Sequence, residues 1–246
     1  HFLGTSKLEW ATLLTDIQRA VRKYHNEQFT ISFDCASPFL ATANGQIYIQ
    51  TETDDRTKWV YRMQASADDK KYATDTRLFK DAVIQDNIFK IFESSPIIDQ
   101  CEMKDICIYK PGDLNKIGKE GKSSWDGFSY ILLKAHNAWM HLTAVQEANR
   151  SYDKGIIPKM LINDKFERIL FKDVINEIFS QKTKEDSLRI IEQHSRLWMQ
   201  MQSGSQGISG KKTINSDSKF GEFFSVGENE PEVDEEIIDS DDEISK

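Results

Sequence analysis

Two stretches of this sequence carry residue types that could do chemistry. In the run Pro111-Gly112-Asp113 to Glu120-Gly121-Lys122, Asp113, Glu120 and Lys122 follow the order of a metal-dependent nuclease. There, two carboxylates hold a divalent cation and a lysine orients the attacking water. Only six residues separate Asp113 from Glu120. That is too few for the two strands that should carry them, so the stretch reads as a solvated loop and a nuclease ranks third among the functional readings. Gly121-Lys122-Ser123 matches the end of a phosphate-cradling loop, but the first glycine of that loop would fall at Lys116, which excludes it. Lys110, Lys116, Lys119 and Lys122 make the same stretch basic, and Tyr109 and Trp125 flank it. Such a loop can meet the phosphates of a single-stranded nucleic acid while its rings stack on bases.

The histidines point to no metal site. His136 and His141 are five residues apart, about 140° around a helix axis, whereas helical ligand pairs sit three or four apart so that both face one ion. His25 and His194 have no sequence partner. Cys35, Cys101 and Cys107 are too few and too irregular for a disulfide framework or a CxxC site, and read as reduced thiols. The expectation is a non-catalytic chain without cofactor or metal.

The elements that position these residues give an α+β pattern. Ser6-Lys7-Leu8-Glu9 has the form of a capping box, followed by Leu8, Ala11, Leu14, Ile17, Val21 and Tyr24 at helical spacing. Alternating Phe29, Ile31 and Phe33, then 39–43 and 46–51 around Asn44-Gly45, then 59–64, predict a β-meander. Asp75 or Thr76 is placed to cap a helix carrying Leu78 to Phe92, and 103–109 reads as a strand. From Trp125 the pattern turns helical. One stripe comprises Phe128, Ile131, Leu132, Ala135, Trp139, Leu142 and Val145. A second runs from Phe166 to Ile178, and a third from Leu188 to Met201 is opened by Thr183-Lys184-Glu185-Asp186. The predicted organisation is an α+β lobe over 1–122, a helical lobe over 123–202 and a flexible acidic tail over 203–246.

Composition supports a folded body. There are 14 Phe, 7 Tyr and 5 Trp among 246 residues, too many rings for a disordered chain. No apolar run approaches the roughly 20 residues that span a bilayer. The chain opens on His1-Phe2-Leu3-Gly4, with no signal-peptide pattern, as an excerpt or a processed product would. These features predict a cytoplasmic or nuclear protein; the oligomeric state is not legible. Charge is uneven: residues 228–246 hold ten acids and one lysine, so the overall −8 leaves 1–227 at +1. The acidity belongs to the tail.

Within that tail, Glu222-Phe223-Phe224-Ser225-Val226-Gly227-Glu228 places adjacent rings between carboxylates. Rings of this kind enter a pocket while the acids find basic residues on its rim. The stretch resembles the FFAT motif, read by the MSP domains of VAP proteins on the endoplasmic reticulum, through Glu222, Phe223, Phe224 and Glu228. Ser225 stands where the conventional motif has Asp, as in variants whose charge is supplied by phosphorylation. Val226 replaces Ala, and the acids follow the rings instead of preceding them. Asp217-x-x-Phe220-x-x-Phe223-Phe224 is also similar to peptides that plug into sliding clamps. A plainer alternative has the three rings folding back as a terminal latch. Ser240, before Asp241-Asp242-Glu243, has the acidic context of a casein kinase 2 site.

The sequence reading is therefore an interaction or adaptor protein whose tail docks a protein partner. The alternative is a nucleic-acid-binding protein, viral or replication-associated, whose acidic tail regulates binding.

Overall fold

The fold, taken from a computed structural model, is described for residues 1–43, 45–54, 59–66, 72, 74–106, 127–163 and 169–199. It is mixed α+β, and all described elements belong to one compact unit, His1–Gly204. In chain order they are α1 (Leu8–Tyr24), α2 (Ser37–Ala43), β1 (Gln46–Glu52), β2 (Val60–Ala65), α3 (Phe79–Gln85), α4 (Met103–Ile106), α5 (Gly127–Asp153), β3 (Ile162–Asn163), β4 (Ile169–Leu170), α6 (Phe171–Ser180) and α7 (Lys184–Gln193). Single 3-10 turns lie at Ile98–Gln100 and Lys159–Leu161.

Helix α1 forms where the spacing predicts, but without the capping box. Its N-cap is Lys7 and makes no side-chain cap bond. Glu9 instead accepts a hydrogen bond from the Trp59 backbone N–H at 3.3 Å, tying α1 to the segment before β2. Thr183 does cap α7, its Oγ1 accepting from the Asp186 N–H at 3.1 Å, as the sequence predicts.

The predicted β-meander reduces to one hairpin and a second, two-residue pair. β1 and β2 run antiparallel, with Gln46 opposite Ala65 and Glu52 opposite Val60. Ile49 is the extra residue where the register shifts between Tyr48 and Gln50. Residues 39–43 are not a strand: Pro38 opens α2, where its fixed φ and missing N–H cost a first turn nothing. Gly45, at φ 67°, leaves that helix and leads into β1; Asn44 lies outside the described residues. Residues 29–33 are held by α1 and not by a sheet. The Ile31 N–H donates to Gln18 Oε1 at 2.6 Å, Arg22 Nε donates to the Phe29 carbonyl at 2.6 Å, and Phe33 makes a single bridge to Phe2.

Two further boundaries differ from expectation. Helix α3 begins at Phe79 and stops at Gln85, because Asn87 turns left-handed at φ 50° and the Ile88 N–H reaches back to the Val83 carbonyl. Asp75 does not cap it; its carboxylate accepts from the Arg77 N–H and guanidinium instead. Residues 103–106 form α4 and not a strand: Asp105 Oδ2 accepts the Glu102 N–H at 2.9 Å, favouring a turn over extension. The stretch 169–170, predicted helical, pairs as β4 with β3 before α6 begins.

Two apolar cores result. One gathers Leu8, Leu13, Trp59, Ala144, Ala148, Phe171, Val174 and Ile175 from α1, the segment before β2, α5 and α6. The other gathers Ile47, Ile49, Phe79, Val83, Phe89, Ile98, Met103 and Leu133 from β1, α3, the stretch between α3 and α4, α4 and the start of α5. Helix α5 contributes to both.

Candidate functional site

Helix α5 is where buried polar groups and exposed apolar groups are concentrated, on opposite sides of one rod. On the inward side, His136 and Asn137 are fully buried. Strand β1 pairs with β2 along one edge only, which leaves the backbone of its other edge to be satisfied. Asn137 Oδ1 accepts the Tyr48 N–H at 3.0 Å, and the Tyr48 carbonyl lies 2.8 Å from His136 Nε2. Two helix side chains thus stand in for a neighbouring strand. Asn137 Nδ2 donates to Thr42 Oγ1 at 2.9 Å and to the Gln46 carbonyl at 3.0 Å. The carbonyl requires a proton on Nε2, so Nδ1 is the acceptor for the Ser95 hydroxyl at 3.0 Å. Burial drives the His136 pKa down from 6.5 to about 4, against the opposing pull of the Tyr48 carbonyl and Asp99. The imidazole is neutral and structural.

One turn further along, His141 Nε2 lies 3.3 Å from Cys35 Sγ, and its ring stacks on Tyr61, which stacks on Tyr48. A thiol beside an imidazole is the arrangement of a cysteine nucleophile and its base. Here the environment works against that chemistry. Burial raises the Cys35 pKa, against opposing hydrogen bonds from Ser37, and lowers His141 to about 4. Both shifts favour the neutral pair over thiolate–imidazolium. Among the described residues, His141 Nδ1 has no hydrogen-bond partner, so nothing orients the ring as a third catalytic group would. The pair acts as a buried, uncharged contact between α5 and the segment before α2. Sequence reasoning placed His136 and His141 apart on the helix, and each has its own set of partners. It missed both sets, which come from β1 and Cys35, remote in sequence.

A second polar seam lies between α1, α5 and α6. Asp16 is buried and its pKa raised by desolvation, opposed by Tyr152, Lys172 and Arg19. Arg19 makes a bidentate pair with Asp153 at 2.8 and 2.9 Å. This geometry locks two helices together.

The outward side of α5 is the opposite case. Phe128, Ile131 and Leu142 are 62%, 63% and 65% exposed, with Ala135 and Trp139 half-buried between them. Of the seven-residue stripe that the sequence pattern predicts, Leu132 and Val145 pack against the cores, whereas Phe128, Ile131 and Leu142 turn outward. The inward positions are Leu133, Met140, Ala144 and Ala148. Apolar and polar residues are mixed around the axis of α5, so periodicity alone does not choose the buried side; the polar pair His136-Asn137, which must be satisfied, does.

Lys110, Lys116, Lys119 and Lys122, with Asp113 and Glu120, fall outside the described residues, as do Glu222, Phe223, Phe224, Ser225, Glu228 and Ser240. Cys35 and Cys101 are free thiols; Cys107 is outside the described residues. His25 meets Phe179 edge-on at 6.1 Å and His194 lies 3.9 Å from Glu177, so both serve helix ends. Among the described residues, no group of three or more His, Cys, Asp or Glu converges as metal ligands, and no helix is long and apolar enough to cross a membrane. Compared with protein-family models, with curated proteins and with solved structures, the chain matches none.

Proposed function

We propose that this chain is a non-catalytic interaction or adaptor protein that captures a protein partner through its C-terminal peptide. The observation that carries the reading is the tail sequence Glu222-Phe223-Phe224-Ser225-Val226-Gly227-Glu228, adjacent rings between carboxylates in the part of the chain that holds its net charge. The exposed apolar side of α5 supports the same class, since large apolar groups gathered on a surface mark interaction sites. In this reading Phe223 and Phe224 fill a pocket, Glu222 and Glu228 meet basic residues on its rim, and phosphate on Ser225 adds the missing charge. The test is calorimetric titration of a peptide covering 217–231 into an MSP-type domain, with and without phosphate on Ser225. Binding that tightens on phosphorylation and disappears in the Phe223→Ala/Phe224→Ala peptide supports the proposal. No binding in either state refutes it.

A further inference from the structure

The exposed stripe of α5 has a property beyond being apolar. Phe128, Ile131, Ala135, Trp139 and Leu142 are spaced three, four, four and three residues apart, a pattern that reads the same in both directions. Sizes follow the same symmetry, with the small Ala135 at the centre and large residues on either side. A helix face of this kind is complementary to its own reverse. When two copies are placed antiparallel with Ala135 on the two-fold axis, Phe128 meets Leu142 of the partner subunit, and Ile131 meets Trp139 of the partner subunit. The central alanines allow close approach of the two backbones. Spacings of three and four are those by which helices interlock at a shallow angle, and an isologous two-fold contact is the commonest way for a chain to pair with itself. No charged side chain lies among the five positions, so no like charges meet across the axis.

We infer that this face is a homodimer interface in which α5 pairs antiparallel with α5 of a second copy. Ile131 and Leu142, each nearly two-thirds exposed and part of neither core, supply the apolar area. Large apolar side chains gathered on a surface mark interaction sites on single chains. The inference deepens the adaptor reading and rests on it for its purpose: a dimer displays two tail peptides, and two linked peptides hold a multivalent partner longer than one.

Sedimentation equilibrium of the full chain tests it. Wild type is expected to pass from monomer to dimer with rising concentration, and Leu142→Lys to weaken dimerisation at least tenfold with an unchanged circular dichroism spectrum. Ile84→Lys, at a 75% exposed site on α3, leaves the dimer unaffected. Ala135→Cys, on the proposed axis, is expected to give a disulfide-linked dimer on mild oxidation, whereas Ile84→Cys does not. The Phe223→Ala/Phe224→Ala chain dimerises like wild type, which separates this inference from the peptide-docking proposal. A wild type monomeric at every concentration, or a dimer indifferent to Leu142→Lys, overturns it. So does a dimer that dissociates when the tail rings are removed, or one that Ala135→Cys fails to link.

Discussion

The two sides of α5 carry unusual residues for opposite reasons. The inward side buries polar groups, His136, Asn137 and His141, within an apolar interior. The outward side exposes apolar groups, Ile131 and Leu142, to water. Buried polar groups are tolerated when each hydrogen bond is completed; Asn137 completes its set with Tyr48, Thr42 and Gln46. Exposed apolar groups gain nothing for the isolated fold. The comparison separates residues that specify the structure from residues the two cores do not use, and it does so within one helix.

The largest expected effect concerns the inward histidines. Each has a folded pKa of about 4 against an ordinary 6.5, so the unfolded chain takes up the proton first as pH falls. Their contribution is fully present above about pH 6.5 and is lost on acidification towards the folded value. About 2 kcal/mol per histidine should go between pH 6.5 and 5, read from urea unfolding across that range. A flat profile would show that these rings are not held neutral.

Asn137→Ala comes next. It leaves the Tyr48 N–H without its acceptor and takes a donor from the Gln46 carbonyl and from the Thr42 hydroxyl, which keeps its own bond to the Pro38 carbonyl, and should cost about 3 kcal/mol by the same measurement. A loss under about 1 kcal/mol would mean that the edge of β1 is satisfied in another way. Thr183→Ala removes a cap at the exposed start of α7 and should cost about 1 kcal/mol. The smallest effect on stability belongs to the outward side: Leu142→Lys should change it by no more than about 0.5 kcal/mol.

How much of this was legible follows from which forces are local. Helix α1 and the Thr183 cap of α7 depend on near neighbours in sequence, and their pattern predicts them. The existence of α5 was equally legible, but its orientation was not. Phe128, Ile131, Ala135, Trp139 and Leu142 form as regular a stripe as Leu133, Met140, Ala144 and Ala148. What selects between them is a set of hydrogen bonds from His136 and Asn137 to β1, about ninety residues away. The stretch 39–43 reads as a strand because Asn44-Gly45 suits a two-residue hairpin turn, whereas Pro38 and the exit at Gly45 suit a short helix. The Cys35–His141 contact likewise joins positions that no spacing rule links. The tail peptide proposed for docking is a different matter, since a linear motif rests on its sequence alone.

The most direct test of this account compares Asn137→Ala and Leu142→Lys in parallel, measuring unfolding free energy and self-association for each. The account predicts that Asn137→Ala loses stability while its folded fraction still dimerises, and that Leu142→Lys keeps its stability while dimerisation weakens at least tenfold. A Leu142→Lys chain that unfolds as readily as Asn137→Ala, yet associates like wild type, would contradict it.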